Sequence, residues 1–191
     1  MATMENFYLY LKTKSEAKWK NINPNKEIFG YQIQTGSKWK RGLSLSEISS
    51  FEKELNIEFP SAIKDYYLSM NGLDKNAINY YGSSGEKPKY RPVFYSYPDD
   101  LEIIKDLISW IYEAFKINRT IIKELRVSRI FPIFGHRFIL IDHPGNPILS
   151  MQGTDAIPWA SSLESFFRHE ILEENSVISE FDYSNIKLWL D

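Results

Sequence analysis

The most regular pattern of apolar and polar positions in the chain begins at Ser44. This serine stands three residues before Glu47, which is the spacing of a capping box at the start of a helix. The stripe that follows has apolar residues at helical spacing, and only Glu52 interrupts it. Its apolar members are Leu45, Ile48, Phe51 and Leu55. The pattern predicts a helix that lies on a core and ends near Asn56.

A second helix is predicted after a short turn. Pro60 suits its first turn, because proline lacks the N–H group that would have no helical partner there. Its apolar stripe consists of Ile63, Tyr66, Tyr67 and Met70. We expect Asn71 and Gly72 to stop this helix, since both residue types adopt the left-handed conformation of a helix end. The two helices then form a unit with a shared apolar side.

The same signals predict four further helices. They cover residues 4–17, 99–115, 119–127 and 161–171. Asp99 with Glu102 and Ser161 with Glu164 have the spacing of capping pairs. The apolar faces of these two capped helices are formed by Leu101, Ile104, Ile108, Ile111 and Phe115, and by Leu163, Phe166, Phe167 and Ile171.

Runs rich in β-branched and aromatic residues lie between these helices. They cover residues 93–97, 130–134, 137–142 and 148–151. Gly135 separates the second run from the third, and Pro144-Gly145 is suited to a type II turn before the fourth. Residues 73–91 are predicted to be a mobile loop, because Gly82 to Gly85 is rich in glycine and serine. The order of elements predicts an α+β fold, a single domain with a central antiparallel meander packed by helices.

The composition limits the class of protein. The chain has 191 residues, of which 43% are hydrophobic, and this fits one domain with a substantial core. No apolar run approaches the roughly 18–20 residues of a membrane helix, and the N-terminus lacks the order of a secretory signal, so we expect a cytoplasmic protein with no membrane partner. The chain has no cysteine, which excludes thiol nucleophiles and cysteine-ligated zinc.

Charge is unevenly distributed along the chain. The formal net charge is only −2, whereas a nucleic-acid-binding domain is usually strongly basic. Residues 1–41 hold eight Lys and Arg and three Glu, and residues 170–191 hold six Asp and Glu and one Lys. We expect the two ends either to attract each other or to offer separate surfaces to partners.

No pattern of catalytic or metal-ligating residues is present in the sequence. The common nucleophile, zinc and phosphate motifs are missing. His136 and His143 are seven positions apart, so on a continuous strand they point to opposite faces, and His169 has no ligand pattern beside it. We therefore predict no catalytic site, no metal and no cofactor. A basic run of Arg119, Lys123, Arg126 and Arg129 is interpreted as a solvated face, which leaves nucleic acid a weak choice of partner.

An ordered series of short motifs runs through the chain. The first part comprises Gly36 to Leu43, Glu47-Ile48, Phe51-Glu52, Ile57 to Pro60, Tyr66 to Leu68 and Met70 to Gly72. The later part comprises Phe94 to Pro98, His136 to Ile139, Asp142, Gly145, Ser150-Met151, Asp155 to Ile157 and Leu163 to Phe167. This series resembles the signature of the SUKH superfamily over residues 36–172. The resemblance leaves residues 1–35 as an N-terminal helix and extension, and residues 173–191 as an acidic segment that packs on the domain.

The resemblance implies architecture for its motif residues. The residues concerned are Trp39, Gly42, Leu43, Phe51, Glu52, Phe59, Pro60, Asn71 and Gly72. Trp39 and the bend at Gly42 and Leu43 are expected to bring an N-terminal segment against the first of the two paired helices. Glu52 interrupts an apolar stripe, so we expect it to be a hydrogen-bond acceptor or half-exposed.

The resemblance also implies a function. The superfamily joins fungal regulators of cell-wall synthesis to bacterial immunity proteins, which protect a cell against polymorphic toxins. It implies a non-catalytic protein whose partner is a toxin domain, with an intracellular scaffold or regulator as the first alternative and an unrecognised enzyme as the second. Many such toxins are nucleases with basic channels, so acidic residues are natural contacts. The candidates are Glu170, Glu173, Glu174, Glu180 and Asp182, with Asp99, Asp100 and Asp106 as a second group.

Overall fold

Helices and short antiparallel strands make up the chain in the computed structural model, which describes residues 4–81, 87–174, 182–183, 186 and 188–190. The helices are α1 (Met4–Trp19), α2 (Leu45–Leu55), α3 (Ser61–Ser69), α4 (Leu101–Ala114), α5 (Arg119–Leu125) and α6 (Leu163–Glu170). The strands are β1 (Trp39–Arg41), β2 (Met70–Leu73), β3 (Ala77–Asn79), β4 (Lys89–Arg91), β5 (Ile130–Phe134), β6 (Arg137–Leu140), β7 (Ile148–Gln152) and β8 (Asp155–Ala160). The predicted α+β class is confirmed. Within the described residues, no helix is long and apolar enough to cross a membrane.

A four-stranded antiparallel sheet in the order β5-β6-β7-β8 separates two apolar cores. Successive side chains of a strand point to opposite faces, and β6 shows this directly. Phe138 and Leu140 lie in one core, whereas Ile139 between them lies in the other. The predicted meander is confirmed, and β8 is a strand that the sequence pattern did not predict.

The larger core lies between this sheet and helices α1, α2, α3 and α6. Trp39 is 4% exposed there, and its ring centroid lies 5.4 Å from that of Trp19, 4.6 Å from Phe94 and 6.3 Å from Phe167. Its indole N–H donates a hydrogen bond to Ser15 Oγ at 2.8 Å. Trp39 therefore connects the N-terminal helix to the last helix, as its large aromatic area allows.

The bend after β1 depends on a close approach of two backbones. A Cβ atom at Gly42 would lie 1.8 Å from the Leu68 carbonyl oxygen, far inside van der Waals contact. The next residue, Leu43, donates its N–H to the Tyr67 carbonyl at 2.7 Å. The absence of a side chain at residue 42 thus lets the chain run directly against the end of α3.

Several expected details of α2 hold, and one does not. Ser44 and Glu47 form the predicted capping box, and Asn56 ends the helix with φ 53°. Glu52 accepts a hydrogen bond from the Phe59 N–H at 2.7 Å, as expected of an acid that breaks an apolar stripe. Leu45 was predicted to belong to that stripe, but it is 71% exposed. It is the first residue of the helix, and the buried residues of α2 are Ile48 and Phe51.

The expected stop of α3 at Asn71 and Gly72 is wrong. The helix ends at Ser69, and Met70 is already extended, because β2 begins there and pairs with β1. Gly72 has φ 70°, but it lies within β2. The Asn71 side chain instead forms two hydrogen bonds with the main chain of Tyr97, at 2.7 Å and 2.8 Å. Its amide group thus ties the strand to the segment before α4.

Other corrections concern the region 73–102 and the start of α6. Residues 77–91 contain the paired strands β3 and β4 rather than a loop, although residues 82–86 lie outside the described residues. Residues 93–97 form no strand; they are an irregular segment in which residues 93–96 are buried and Tyr97 is half-buried. Asp100 rather than Asp99 precedes α4, and Ser162 rather than Ser161 caps α6 with Ser165 as its partner. The cap of α6 is therefore displaced by one residue, whereas the predicted capping pair of α4 is wrong, because no side chain forms a capping hydrogen bond there.

The capping box of α2 predicts a pH-dependent stability. The Arg41 guanidinium, followed by the Ser44 N–H, donates to the Glu47 carboxylate and lowers its pKa from 4.5 to about 2. A lowered folded-state pKa stabilises the fold fully above the ordinary pKa, and this stabilisation is lost as the pH falls toward the folded value. We expect thermal melts of the wild type and Glu47→Gln to differ most above pH 4.5 and to converge as the pH approaches 2.

Arg41→Gln provides the control for this pH dependence, because it removes the largest cause of the lowered Glu47 pKa. In the Arg41→Gln background, the effect of Glu47→Gln should depend less on pH. A difference in melting temperature that stays constant between pH 2 and pH 7 would contradict the assignment.

Candidate protein-interaction site

The three histidines occupy different parts of the fold, and His169 lies in the last turn of α6. His136 lies in the turn between β5 and β6, where burial, then Arg137 and Arg91, lower its pKa. Strand β6 ends at Leu140, so His143 lies in the following turn rather than on the strand, and its ring forms a hydrogen bond with the Pro144 carbonyl at 2.8 Å. Among the described residues, no three acidic or histidine side chains form a group that could hold a metal ion.

Acidic residues at the end of α6 make contacts within the chain. Glu173 forms an ion pair with Lys18 at 2.7 Å. Glu174 forms one with Arg168 at 2.7 Å and accepts a hydrogen bond from the Tyr10 hydroxyl at 3.0 Å. Arg168 and then Tyr10 stabilise this carboxylate and lower its pKa, against the effect of burial. Lys18 and Tyr10 belong to α1, so the basic N-terminal part and the acidic C-terminal part of the chain do contact each other here.

The second acidic group is also partly engaged. Asp99 forms an ion pair with Lys40 at 3.0 Å. Asp100 accepts hydrogen bonds from the Ser96 N–H and hydroxyl, both at 2.7 Å, so its carboxylate fixes the turn before α4. Part of the charge that a partner would meet is compensated at Asp99.

The remaining acidic candidates have different surroundings. Glu170 accepts a hydrogen bond from the Trp159 indole N–H at 3.2 Å. Asp106 lies exposed on α4, Asp182 is exposed in the C-terminal segment, and Glu180 lies outside the described residues. A role for these eight acids in partner binding stays a prediction.

Four exposed apolar side chains lie elsewhere on the molecule, on loop 24–32 and the β3–β4 hairpin. They are Ile28, Phe29, Tyr81 and Tyr90, with exposed fractions of 50%, 77%, 37% and 57%. We call this set of side chains the aromatic face. Phe29 has the largest exposed fraction of any large hydrophobic residue in the described part of the chain.

Strand pairing brings the loop and the hairpin together. Gln32 and Ile78 form a two-way antiparallel bridge at 2.8 Å and 2.9 Å, and Ile78 is level with Tyr90 in the hairpin. The Gln32 side chain also exchanges two hydrogen bonds with the main chain of Asn25, each at 2.8 Å. These contacts close loop 24–32 at its base and hold it on the edge of β3.

A buried asparagine joins the tip of the loop to the hairpin. Asn79 is 6% exposed, and its Oδ1 accepts from the Gly30 N–H at 3.4 Å and from the Tyr81 N–H at 3.2 Å. The main chain at Gly30 and the main chain at Tyr81 are therefore held by the same side chain. Gly30 has φ 116°, a conformation that a residue with a side chain rarely adopts, and it lets the chain turn directly after Phe29.

Basic side chains lie on the same loop and hairpin, although Arg91 directly follows Tyr90 in β4, so these two side chains point to opposite faces of the hairpin. Loop 24–32 and residues 77–91 together carry four basic residues, Lys26, Lys87, Lys89 and Arg91, and two acidic residues, Glu27 and Glu86. The Lys26 ammonium lies 5.9 Å from the centre of the Tyr80 ring, and the Arg91 guanidinium lies 5.4 Å from that of Tyr31. Such cation–aromatic contacts hold the charges at this surface.

The sequence pattern does not predict the aromatic face, because residues 73–91 have the composition of a mobile loop and a phenylalanine such as Phe29 is usually buried. One signal is present, because Ile28 and Phe29 are an apolar pair beside Gly30, outside any helical or alternating pattern. An apolar pair that no regular element would bury is a candidate for the surface.

A cleft of about 730 Å³ lies between α2, α4 and α5. Its lining includes Ile108, Tyr112 and Ile122, with Arg119 and Arg129 among the polar residues. Arg129 forms an ion pair with Asp142 at 2.7 Å, so this charge of the basic run is engaged within the chain. The cleft combines an apolar lining with partly compensated charge.

Comparison with known protein families gives a match. The model of the SMI1 / KNR4 family (SUKH-1) matches residues 42–169, which is well over half of the 191 residues. The matched segment includes the β3–β4 hairpin and all of the four-stranded sheet, whereas α1 and loop 24–32 precede it. No curated protein matches the chain.

Proposed function

Because the chain belongs to the SMI1 / KNR4 family (SUKH-1), we propose that it is an immunity protein that binds a cognate polymorphic toxin domain and blocks it without catalysis. The family is compatible with this role, and its wider superfamily includes bacterial immunity proteins. On this proposal the chain acts in the cytoplasm of the cell it protects, in competition between bacteria.

The observation that carries the proposal is the aromatic face. Its four exposed apolar side chains lie on a closed loop and a paired hairpin, so binding needs little ordering of the chain. Protein interfaces are enriched in aromatic residues and arginine, and a few central aromatic side chains usually supply most of the affinity. A surface of this kind supports binding to another protein.

The alternative function is that of an intracellular scaffold or regulator, as in the fungal branch of the superfamily. The same surface would then hold a regulatory partner rather than a toxin. The two functions differ in the identity of the partner and in the effect of binding on growth.

We expect co-expression with the toxin domain encoded beside the gene of this chain to restore growth that the toxin alone prevents. Blocking requires that every toxin molecule has a bound copy of the chain. The purified toxin should therefore lose all its activity only at an equimolar ratio, and the purified equimolar complex should remain inactive. An enzyme that modifies the toxin would instead act at a small fraction of the toxin concentration. Growth assays and titration of toxin activity measure both quantities.

A catalytically inactive toxin domain is the control for co-expression, since growth should then be independent of the chain. Failure to rescue growth with every toxin domain encoded beside the gene, or inhibition at a substoichiometric ratio, would contradict the proposal. A complex with a cellular protein that is not a toxin would favour the scaffold.

A further inference from the structure

We propose that the chain binds a phosphate group at the turn between β5 and β6, where the side chains of Arg91, His136 and Arg137 lie together. We call these three side chains the basic corner. This inference goes beyond the proposed function and does not depend on it. The family match and the acidic candidates assign no ligand to this turn.

The first step of the argument is the set of contacts that brings β4 to the turn. The Gly135 N–H donates to the Val93 carbonyl at 2.9 Å, and the Tyr95 hydroxyl donates to the Gly135 carbonyl at 2.8 Å. Burial raises the pKa of Tyr95 to about 12, and the charge of Arg91 and its hydrogen bond to the hydroxyl act in the opposite direction. Arg91 is therefore held beside the residue that precedes His136.

The second step is the position of Arg137 on the other side of the histidine. Its guanidinium lies over the Trp159 ring, 3.6 Å from the ring centre, and one of its N–H groups donates to Ser150 Oγ at 2.9 Å. The same nitrogen contacts His136 Nε2, which accepts this hydrogen bond in the neutral form of the ring. His136 thus lies between two arginines that belong to different strands.

The third step is the lack of acid partners for the two arginines. The arginines at positions 41, 129 and 168 form ion pairs with acids, whereas Arg91 and Arg137 form none in the part of the chain that the structure describes. The Nε atom of Arg137 is buried and has no hydrogen-bond partner among those residues. Buried donors usually have a partner, so this guanidinium has capacity for a further acceptor.

The fourth step is the sign of the charge around His136. Burial, then Arg137 and Arg91, lower the pKa of this histidine, so the charges that act most on its ring are both positive. Burial lowers the pKa of Arg137 as well, and the Glu170 carboxylate acts in the opposite direction. Two arginines and this one carboxylate leave a net charge of +1 around a neutral histidine. An anion bound here is attracted by both guanidinium groups, and it also favours the protonated form of His136.

The number and type of donors favour phosphate over a carboxylate. The two oxygens of a carboxylate are satisfied by a single guanidinium fork. A phosphate monoester has three acceptor oxygens and a charge of about −1.5 to −2 at neutral pH. The basic corner has two guanidinium groups and an imidazole that gains a second donor and a positive charge when it is protonated. These groups match three oxygens and two negative charges.

NMR spectroscopy of the labelled chain, titrated with inorganic phosphate, tests the site. Phosphate should shift amide signals saturably at residues 91, 135–137, 150 and 159, and it should raise the pKa of the His136 ring. Arg137→Gln and Arg91→Gln should each weaken phosphate binding by about 10-fold or more, because each removes a charged donor. Glu170→Gln should instead strengthen binding, because it removes the carboxylate that acts on Arg137.

Arg119→Gln is the matched control. Arg119 is exposed and lines the cleft between α2, α4 and α5, and it also forms no ion pair within the described residues. Its replacement should leave phosphate binding as in the wild type. Melting temperatures show whether each variant is folded, and Arg91→Gln keeps the test decisive if Arg137→Gln does not fold.

Two further probes distinguish the source of the phosphate. Tighter binding of adenosine monophosphate than of inorganic phosphate would indicate a small phosphorylated molecule. Tighter binding of a phosphoserine peptide would indicate a phosphorylated residue of another protein. In both cases Arg137→Gln should lower the affinity.

Three results would overturn the inference. The first is the absence of saturable shifts at the basic corner, and the second is an unchanged affinity for phosphate in folded Arg137→Gln and Arg91→Gln. The third is acetate binding as tight as phosphate binding, which would exclude phosphate as the preferred class of ligand.

Discussion

Replacing Trp39 by alanine is expected to lower the free energy of unfolding by about 3–5 kcal/mol, the usual range for removal of a buried aromatic side chain. Trp39 is 4% exposed and packs against the rings of Trp19 and Phe94. The substitution leaves a cavity between α1, the irregular segment before α4 and α6, and it removes the indole hydrogen bond to Ser15. Urea denaturation followed by circular dichroism measures the change.

Trp110→Ala is the matched control for this experiment. Trp110 is 43% exposed on α4, so its removal should cost less than about 1 kcal/mol. Trp39→Phe separates the ring from the hydrogen bond, because it keeps part of the aromatic volume and loses the indole N–H. If Trp39→Ala costs no more than Trp110→Ala, Trp39 does not connect the two ends of the fold as described.

Replacing Gly42 by alanine is expected to destabilise the fold by about 3 kcal/mol or more, at the upper end of the cost of overpacking. The new methyl group would lie 1.8 Å from the carbonyl oxygen and 2.4 Å from the carbonyl carbon of Leu68. Both atoms belong to the backbone, so relief requires moving the bend away from α3 and stretching the hydrogen bond from Leu43 to Tyr67. Elsewhere, glycine-to-alanine changes at permitted conformations stabilise proteins slightly, so the sign of the effect is informative.

Gly153→Ala provides the comparison for Gly42→Ala. Gly153 has φ 61° and no atom within 4 Å of a built Cβ, so only backbone strain of about 1–2 kcal/mol is expected there. Gly42→Ala should therefore be the more damaging change in thermal and urea unfolding. Equal or smaller damage at residue 42 would mean that the two backbones separate easily.

Sequence periodicity predicted most of the core correctly. The stripe predicted for α3 is an example, since Ile63, Tyr66 and Tyr67 of that helix are buried, as is Met70 at the start of β2. Helical spacing reports burial over several turns, so an error at one position, such as Leu45, does not change the prediction. Strands β3 and β4 have three residues each, and three residues hold too few alternations to distinguish a strand from a loop.

Contacts between residues distant in the sequence could not be predicted. Tyr10 and Glu174 form a hydrogen bond across 164 positions, and the ion pair of Lys18 with Glu173 joins the same two regions. The sequence showed an excess of acid at the C-terminal end, but pairing depends on the fold. The exposure of Phe29 could not be predicted either. A phenylalanine suggests a core position, and only the tertiary structure shows that its side chain is 77% exposed.

The closure of loop 24–32 at its base separates recognition from folding. Asn25 and Gln32 hold the two ends of the loop, while Ile28 and Phe29 lie between them and belong to neither core. If the aromatic face binds the partner, substitutions at positions 28 and 29 would alter the choice of partner with little cost to folding. Chains with the same scaffold could then diverge in specificity by exchanging residues 26–29, while Gly30 keeps the turn and Tyr31 keeps its packing on the larger core.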